Sequence, residues 1–584
     1  MSKSEEPAIG IPYNSSYQAP APPTQQQQYF VQQNPYKAGV IPPNAIVGDP
    51  KGILIQQTMY RDTPAPFNCI HRGNSGLTLV KEVWKSRKPV SKLLTMVEEQ
   101  FHFVLLPFMA QGHTIPMIDL AKLLANLGVR VTILQTPQNA SRVKSVIVRA
   151  QESGLPIQIL QISFPCTEVG LPEGCENVDL LPSFDLMVQF YEAVRMLQPQ
   201  VEGLLREMKP SPSCIIADMN FPWATNVAQR LKIPRIVFNG MCCFSLLCLH
   251  NIRNWSGIES VESESVYFQV PGLPDSIEVT KAQISQMFTP SSAGQKDIAK
   301  EIEDAEGNAL GIVINSFEEL ESEYTKEFEK AKGKKVWSIG PVSLCNKEDS
   351  DMVERGNKAT IDKHQCLKWL DSKETTSVLY VCLGSLARLP TSQMIELGLA
   401  LESSKRPFIW VIKHISNEFQ NWLQRETYEE RVKGQGLIIF GWAPQVLVLS
   451  HPSVGGFLNH CGWNSTLEAI TSGVPLITWP MFGEQFLNER LVVDVLKTGV
   501  RAGVELPVLV GREEETGVQV NRDDIALAIE KVLGGGEEAE MRRKRMKGLA
   551  EMARTAVEEG GSSFLNIAKL IQDVAEETNT LKSV

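Results

Sequence analysis

From Phe101 onward, short apolar runs alternate with longer stretches whose apolar residues fall at helical spacing. HFVLLPF (102–108) has the length and composition of a strand buried on both faces. A loop, AQGHTIP, follows, and then MIDLAKLLANLG, whose apolar spacing predicts a helix ended by Gly128. VRVTILQT, SCIIAD (213–218), RIVFN (235–239) and GIVINS (311–316) repeat the strand pattern, with helical material between them. A second series contains SVLYVCLGS (377–385), a helix from about Thr391 to Ser404, FIWVI (408–412), LIIFGW (437–442), GGFLNH (455–460) and PLITWP (475–480). Strands alternating with helices predict a parallel sheet covered on both faces. Two such series predict an α/β protein of two Rossmann-like domains facing a cleft. Ligands of such sheets bind beyond the carboxyl ends of the strands, here the loops 110–114, 384–388, 442–445, 460–465 and 481–486.

The pattern fails before residue 95. Residues 1–66 hold PAPPTQQQQ and repeated Pro, Asn and Tyr, with no periodicity, a composition that predicts disorder. The stretches IPPNAIVGDPKG and QQTMYRDTPAPFNC resemble the lead-in of plant LITAF-domain proteins, a zinc-binding membrane-associated module. That resemblance stops where the metal is needed, because Cys69 is followed by Ile70, His71 and Arg72 rather than by a second thiol at Cys-x-x-Cys spacing. Residues 1–95 are therefore read as a disordered extension or a fused leader, with Met96 a start for the functional part. Residues 96–342 form the first domain and 363–584 the second, the latter including a C-terminal helix. The polar stretch 343–362, which contains LCNKEDSDMVERGNKATID, reads as an interdomain linker.

Bulk properties narrow the function. A net charge of −10 disfavours nucleic acid and anionic membranes as partners. The eleven cysteines have no repeating spacing, and the adjacent Cys242 and Cys243 sit among Met, Phe and Leu, which predicts buried thiols in a reducing compartment. No signal-peptide core and no apolar run long enough for a transmembrane helix is visible, so the expectation is a cytoplasmic monomer.

The chemistry is concentrated in residues 442–485, WAPQVLVLSHPSVGGFLNHCGWNSTLEAITSGVPLITWPMFGEQ. GGFLNH ends a strand and CGWNS turns into the helix STLEAITSG. Unpaired amides of Asn464, Ser465 and Thr466 at that helix start would attract an anion, with His460 beside them. The same residues also read as a capping box in which Ser465 and Glu468 only satisfy backbone groups. The whole stretch resembles the donor-binding signature of plant family-one UDP-glycosyltransferases, and that resemblance spans residues 101–580. The branch is the one reading HFVLFPFMAQGHMIPM and CLVADMFFPWAT at the corresponding places. It implies a GT-B fold and these roles. Trp442 stacks on uracil and Ala443 bonds its edge through the backbone. Gln445 belongs to the same signature, and Glu468 accepts from the ribose hydroxyls. His460, Asn464, Ser465 and Ser385 hold the diphosphate. Trp463, Glu484 and Gln485 contact the sugar, with Gln485 and Trp463 pointing to UDP-glucose. Glu484 stands where most relatives carry Asp.

On the acceptor side, His113 follows the first strand next to Gly112, and an imidazole titrates near neutrality, as a general base requires. A lone histidine in a loop is often incidental. The family pattern pairs this one with Asp218, which would orient the imidazole and stabilise its cation. His102, His250, His364, His414 and His451 carry no such context, and Trp223 and Phe244 read as core. The resemblance thus implies inverting, metal-independent transfer of glucose from the co-substrate UDP-glucose to a hydroxyl of a small lipophilic acceptor such as a flavonoid, triterpenoid, sterol or hormone. Segments 164–190, 240–256 and 273–290 are the candidate acceptor walls. The rival readings are a membrane-associated adaptor built on the leader and a UDP-sugar-binding pseudoenzyme.

Overall fold

The computed structural model describes residues 101–288, 293–386 and 388–583. The leader 1–95, with its LITAF-like stretch and Met96, lies outside the described residues. The first sheet contains β1 (His102–Leu106), β2 (Arg130–Gln135), β3 (Ile157–Gln161), β4 (Cys214–Asp218), β5 (Arg235–Asn239), β8 (Gly311–Ile314) and β9 (Lys335–Ser338). They are parallel in the order β3-β2-β1-β4-β5-β8-β9. A small antiparallel pair, β6 (Tyr267–Gln269) and β7 (Glu278–Thr280), stands apart. The second sheet is β12-β11-β10-β13-β14-β15, also parallel. Its strands are β10 (Val378–Cys382), β11 (Phe408–Ile412), β12 (Gly436–Phe440), β13 (Val454–Asn459), β14 (Leu476–Thr478) and β15 (Gly499–Arg501).

Strand order reverses between β1 and β4 in one sheet and between β10 and β13 in the other. These switch points open a crevice at the carboxyl ends of the strands, the usual ligand position in open α/β sheets. β1, β4, β5, β10 and β11 are buried at every position, which is why their apolar runs are continuous in the sequence. β3 has only one fully buried residue among five, and β15 is three residues long, so neither carries that signal.

Two assignments change. The loop expected at 110–116 is instead the first turn of a helix, Gln111–Asn126, that runs through Pro116. The C-terminal helix, Ser562–Ser583, does not stay with the second domain. Ile567, Leu570, Ile571 and Val574 are buried with Phe103, Val131 and Trp337 of the first sheet. Asp573 accepts from Lys335 Nζ at 2.7 Å and from the Trp337 indole N–H at 3.1 Å. The helix before it, Glu537–Val557, buries Met546, Ala553 and Ala556 with Leu467 and Ile470 of the second domain. The chain therefore crosses back to the first domain at its end. Among the described residues no helix is long and apolar enough to cross a membrane.

The linker keeps an exposed stretch at 347–350, but Asp351 and Arg355 bind groups of the folded domains. Lys122 and Arg149 of the first domain both bind Asp351, and Lys122 also donates to Asn346 Oδ1 at 2.9 Å. Arg355 donates to Asp119 Oδ2 through Nε at 3.1 Å and Nη2 at 2.7 Å, and through Nη1 to Glu468 of the second domain. Its side chain is 9% exposed, and those of Asp119 and Glu468 are 3% and 8%. One guanidinium thus joins two buried carboxylates of different domains, the fork geometry that lysine cannot supply. Removing a single partner of a buried ion pair strands the others without a counter-charge. Arg355→Met is expected to destabilise the protein by about 3–5 kcal/mol, read as a lowered denaturant midpoint. An unchanged midpoint would show that the two carboxylates need no shared cation.

Candidate active site in the interdomain cleft

The cleft holds a cavity of about 390 Å³ lined from both domains, a size usual for small-molecule sites. Its residues follow the carboxyl ends of successive strands. His113 follows β1, Asp218 ends β4 behind it, Ser385 follows β10, Lys413 follows β11, Trp442 follows β12, His460 follows β13, and Glu484 lies on the turn after β14.

On the first-domain side, His113 Nδ1 lies 2.7 Å from Asp218 Oδ2. Asp218 is fully buried, and its other oxygen accepts the backbone and side-chain N–H of Asn220 at 3.0 and 2.8 Å. With both oxygens engaged, the carboxylate fixes Nδ1 as the protonated nitrogen and leaves Nε2 as the imidazole's acceptor. The ring also stands edge-on to Phe108, with centroids 5.4 Å apart. Burial opposes a charge on His113, but the charge and hydrogen bond of Asp218 and the charge of Glu484 outweigh it, so its pKa lies above the ordinary 6.5.

On the other side, the helix Trp463–Ser472 is capped by Gly462, and no side chain accepts from its first amides. The capping-box reading of Ser465 and Glu468 therefore fails. Ser465 sits in the first turn, and both residues are held by Gln445, whose Nε2 reaches Ser465 Oγ at 3.0 Å and Glu468 Oε2 at 2.8 Å. The amides of 463–465 have no intrahelical acceptor and lie at the positive end of the helix dipole beside the cavity, whereas the Thr466 N–H, expected to be free, binds the Gly462 carbonyl at 3.0 Å. His460 is wedged between two glycines. A Cβ at Gly384 (φ +84) or at Gly462 would come within 2.4 Å of its Nε2. Its Nδ1 is buried without a partner, and burial, followed by the charge of Lys413, pushes its pKa down to about 3. His460 is therefore a neutral hydrogen-bonding group and brings no charge to the site.

Several expected sugar or phosphate contacts are redirected. The only side-chain donor of Trp463, its indole N–H, binds the Asn315 carbonyl at 2.7 Å and the ring is buried, so this residue can offer a ligand only its backbone amide. Gln485 Oε1 accepts from the amides of Met481 (2.9 Å) and Phe482 (3.2 Å), which leaves its NH₂ for a ligand. Asn464 Nδ2 crosses the cleft to the Gly112 carbonyl at 2.6 Å, next to His113. The Ala443 carbonyl already accepts from Gln445 N at 2.9 Å, so of its backbone groups only the N–H is left for a ligand at the cavity wall. Trp442 is anchored through its carbonyl by Thr360 N at 2.9 Å, and Lys413 Nζ lies 4.0 Å from its ring centroid.

Sequence reasoning missed Arg355 and Lys413, both of which line the cavity. Arg355 was hidden in a polar linker, and Lys413 directly follows a strand read only for its apolar residues. Of the candidate acceptor walls, Tyr191, just past the first segment, and Met241 face the cavity, whereas Phe244, Leu247 and Ile252 pack in the core with Ile277 and Val279. His102 is a satisfied core residue, 2.8 Å from both the Pro210 carbonyl and Thr132 Oγ1. His451 binds Ser453 and Asp371 in a turn.

Comparisons with known proteins agree with this geometry. Residues 99–344 match the family model described as glycosyltransferase, N-terminal domain, and residues 349–509 match that of UDP-glucoronosyl and UDP-glucosyl transferase. UDP-glycosyltransferase 73C3 of Arabidopsis thaliana is 55% identical over 478 residues, covering 81% of this chain and 96% of that protein. UDP-glycosyltransferase 73E1 of Stevia rebaudiana is 53% identical over 479 residues, covering 81% of this chain and 96% of the relative. Among solved structures, Glycyrrhiza uralensis UGT73P12, complexed with glycyrrhetinic acid 3-O-monoglucuronide, is similar with a TM-score of 0.76 at 38% identity, over 82% of this chain and 97% of that one. TcCGT1 in complex with UDP gives 0.66 at 26% identity, over 82% and 100%. With two parallel-sheet domains around a shared cleft, the GT-B arrangement, the chain belongs to the plant family-one UDP-glycosyltransferases of the family 73 type.

Proposed function

We propose that this UDP-glycosyltransferase moves glucose from UDP-glucose to a hydroxyl of a small lipophilic plant metabolite, in the cytosol and without a divalent metal. One observation carries the reading. His113, backed by the buried Asp218, opens onto the same cavity as Trp442, Glu468 and the unpaired amides of 463–465, so a base and a diphosphate site face one another.

In this reading the acceptor hydroxyl approaches His113 Nε2. The nitrogen takes the proton as the oxygen attacks the anomeric carbon from the face opposite UDP. The new C–O bond forms while the bond from that carbon to the diphosphate oxygen breaks, and the configuration inverts. The proton stays on the imidazolium, which Asp218 holds by charge and hydrogen bond. UDP leaves with its charge facing the first turn of 463–472 and the neutral donor His460, groups already oriented before charge develops. Glu468, fixed by Gln445 and Arg355, accepts from the ribose, and Trp442 offers a flat face to uracil. Phe108, Tyr191, Met219, Met241 and Phe482 give the acceptor side an apolar wall. The solved relative holding glycyrrhetinic acid 3-O-monoglucuronide supports a polycyclic apolar aglycone. Ten buried or half-buried free thiols among the described residues support a reducing compartment.

Replacing the base tests the mechanism directly. His113→Ala is expected to lower kcat by about two to four orders of magnitude while UDP affinity, measured by calorimetry, stays near the parent value. Turnover that survives would remove His113 from the reaction. The pH profile tests the pairing with Asp218. The base works only when neutral, so kcat/KM should fall as pH drops through a pKa above 6.5. Asp218→Asn removes the charge that raises this pKa and should move the acid limb to lower pH while also slowing the reaction. An acid limb that stays in place would break the link between the two residues. For the donor, UDP-glucose should outcompete UDP-galactose and UDP-glucuronate, with rates unchanged by EDTA. Loss of activity with the chelator, or a faster reaction with another donor, would refute the respective assignment.

A further inference from the structure

A metal-independent site for a nucleoside diphosphate still has to balance the charge of the phosphates, most of all as the leaving group departs. Four side chains in the cavity wall can carry positive charge: His113, Arg355, Lys413 and His460. His113 is held by Asp218 on the acceptor side. Arg355 is shared between Asp119 and Glu468. His460 is held neutral, with its pKa near 3. That leaves Lys413, the first residue beyond β11 and beside the β10–β13 switch point. Among the described residues it has no ion-pair partner. Its Nζ rests 4.0 Å from the centroid of the Trp442 ring.

This placement is a weak home for an ammonium. A cation–π contact at a partly open site is weaker than a charged hydrogen bond to phosphate. Burial lowers the Lys413 pKa below the usual lysine value, against the opposing pull of Cys382, Asp179 and Glu468. Asp179 is already paired with Arg142, and Glu468 with Arg355. An arriving polyanion is the partner this cation lacks.

We propose that Lys413 is the cationic ligand of the donor's diphosphate. Uracil stacked on Trp442 and the ammonium over the same ring compete for one surface, so base stacking moves the lysine from the indole onto the phosphates. Trp442 and Lys413 thereby couple recognition of the base to charge neutralisation at the leaving group. No bond is made or broken at Lys413; it acts as a point charge, the usual role of lysine toward phosphate. The inference rests on the donor-site reading of Trp442.

The test uses uridine, UMP and UDP as probes of the full chain by calorimetry at one fixed salt concentration. Lys413→Met keeps the length of the stem and removes the charge. It should weaken UDP binding by about tenfold to a hundredfold, UMP by less, and uridine not at all, and it should lower kcat with UDP-glucose. Lys413→Arg should restore most of the UDP affinity, and it serves as the second variant if the methionine protein is unstable. Equal weakening of uridine and UDP would mean that the lysine merely shapes the indole, and unchanged UDP affinity would mean that it does not meet the phosphates. Either result overturns the proposal. Trp442→Ala serves as the control for the underlying reading. It should weaken all three ligands, and uridine binding that survives it would refute the donor placement, while the phosphate dependence seen with Lys413→Met would still judge the lysine.

Discussion

The carbonyl of Gly112 has no amide to accept from within its own helix, because Pro116, four residues on, carries no N–H. Gly112 is exposed, so without a protein donor that carbonyl would be left to water. Asn464 of the second domain supplies the missing donor at 2.6 Å. The bond joins the residue before His113 to the first turn of the helix Trp463–Ser472, on the opposite side of the cavity. A break in one domain's backbone is thus completed by the other, at the point where the proposed base and the proposed diphosphate site face one another. The Trp463 indole repeats the logic, finding its acceptor in the Asn315 carbonyl of the first domain. Arg355 does so with charge, closing on Asp119 and Glu468 at once. The C-terminal helix, returning to the first sheet through Asp573, ties the same two bodies from behind. In this protein the cleft is a joint across which the two halves exchange hydrogen bonds and ion pairs.

The strands could be read from the sequence because they are buried on both faces, so their apolar runs are unbroken. What could not be read has a common cause: sequence composition reports the chemistry of a residue and not its partners. Residues 343–362 look like a plain polar linker because they are charged, yet Asp351 and Arg355 bind groups of the folded domains. AQGHTIP looks like a loop because proline ends most helices, and here a side chain 352 residues further along compensates for the missing hydrogen bond. The final helix was grouped with its neighbours along the chain, although its apolar face fits the other domain.

The site was legible to a different degree. The stretch 442–485 identified the residues that gather at the cavity, through the resemblance of the whole run, and the structure brings them together. It did not reveal which of their atoms remain available. Trp463 and Gln485 belong to the signature, yet the indole N–H of one and the side-chain carbonyl of the other already have protein partners. A motif records which residues a fold has kept, whereas the hydrogen-bond inventory decides which of them can still bind a ligand.

Two imidazoles line this cavity, and their surroundings drive them apart. His113 leans on a buried carboxylate and has Glu484 nearby, so it favours the proton. His460 is enclosed by two glycines and faces Lys413, so it refuses one. The division suits a reaction that begins by taking a proton at one end of the site and ends by releasing an anion at the other. A His460 that titrated near neutrality would bind protons in competition with the proposed base and would change the charge of the proposed diphosphate pocket with pH. Held neutral, it offers a hydrogen bond of constant strength and leaves the variable charge to His113, where the proposed reaction uses it. The separation of the two pKa values follows from the same strand ends that form the cleft, since β4 delivers the carboxylate to one histidine and β11 delivers the lysine to the other.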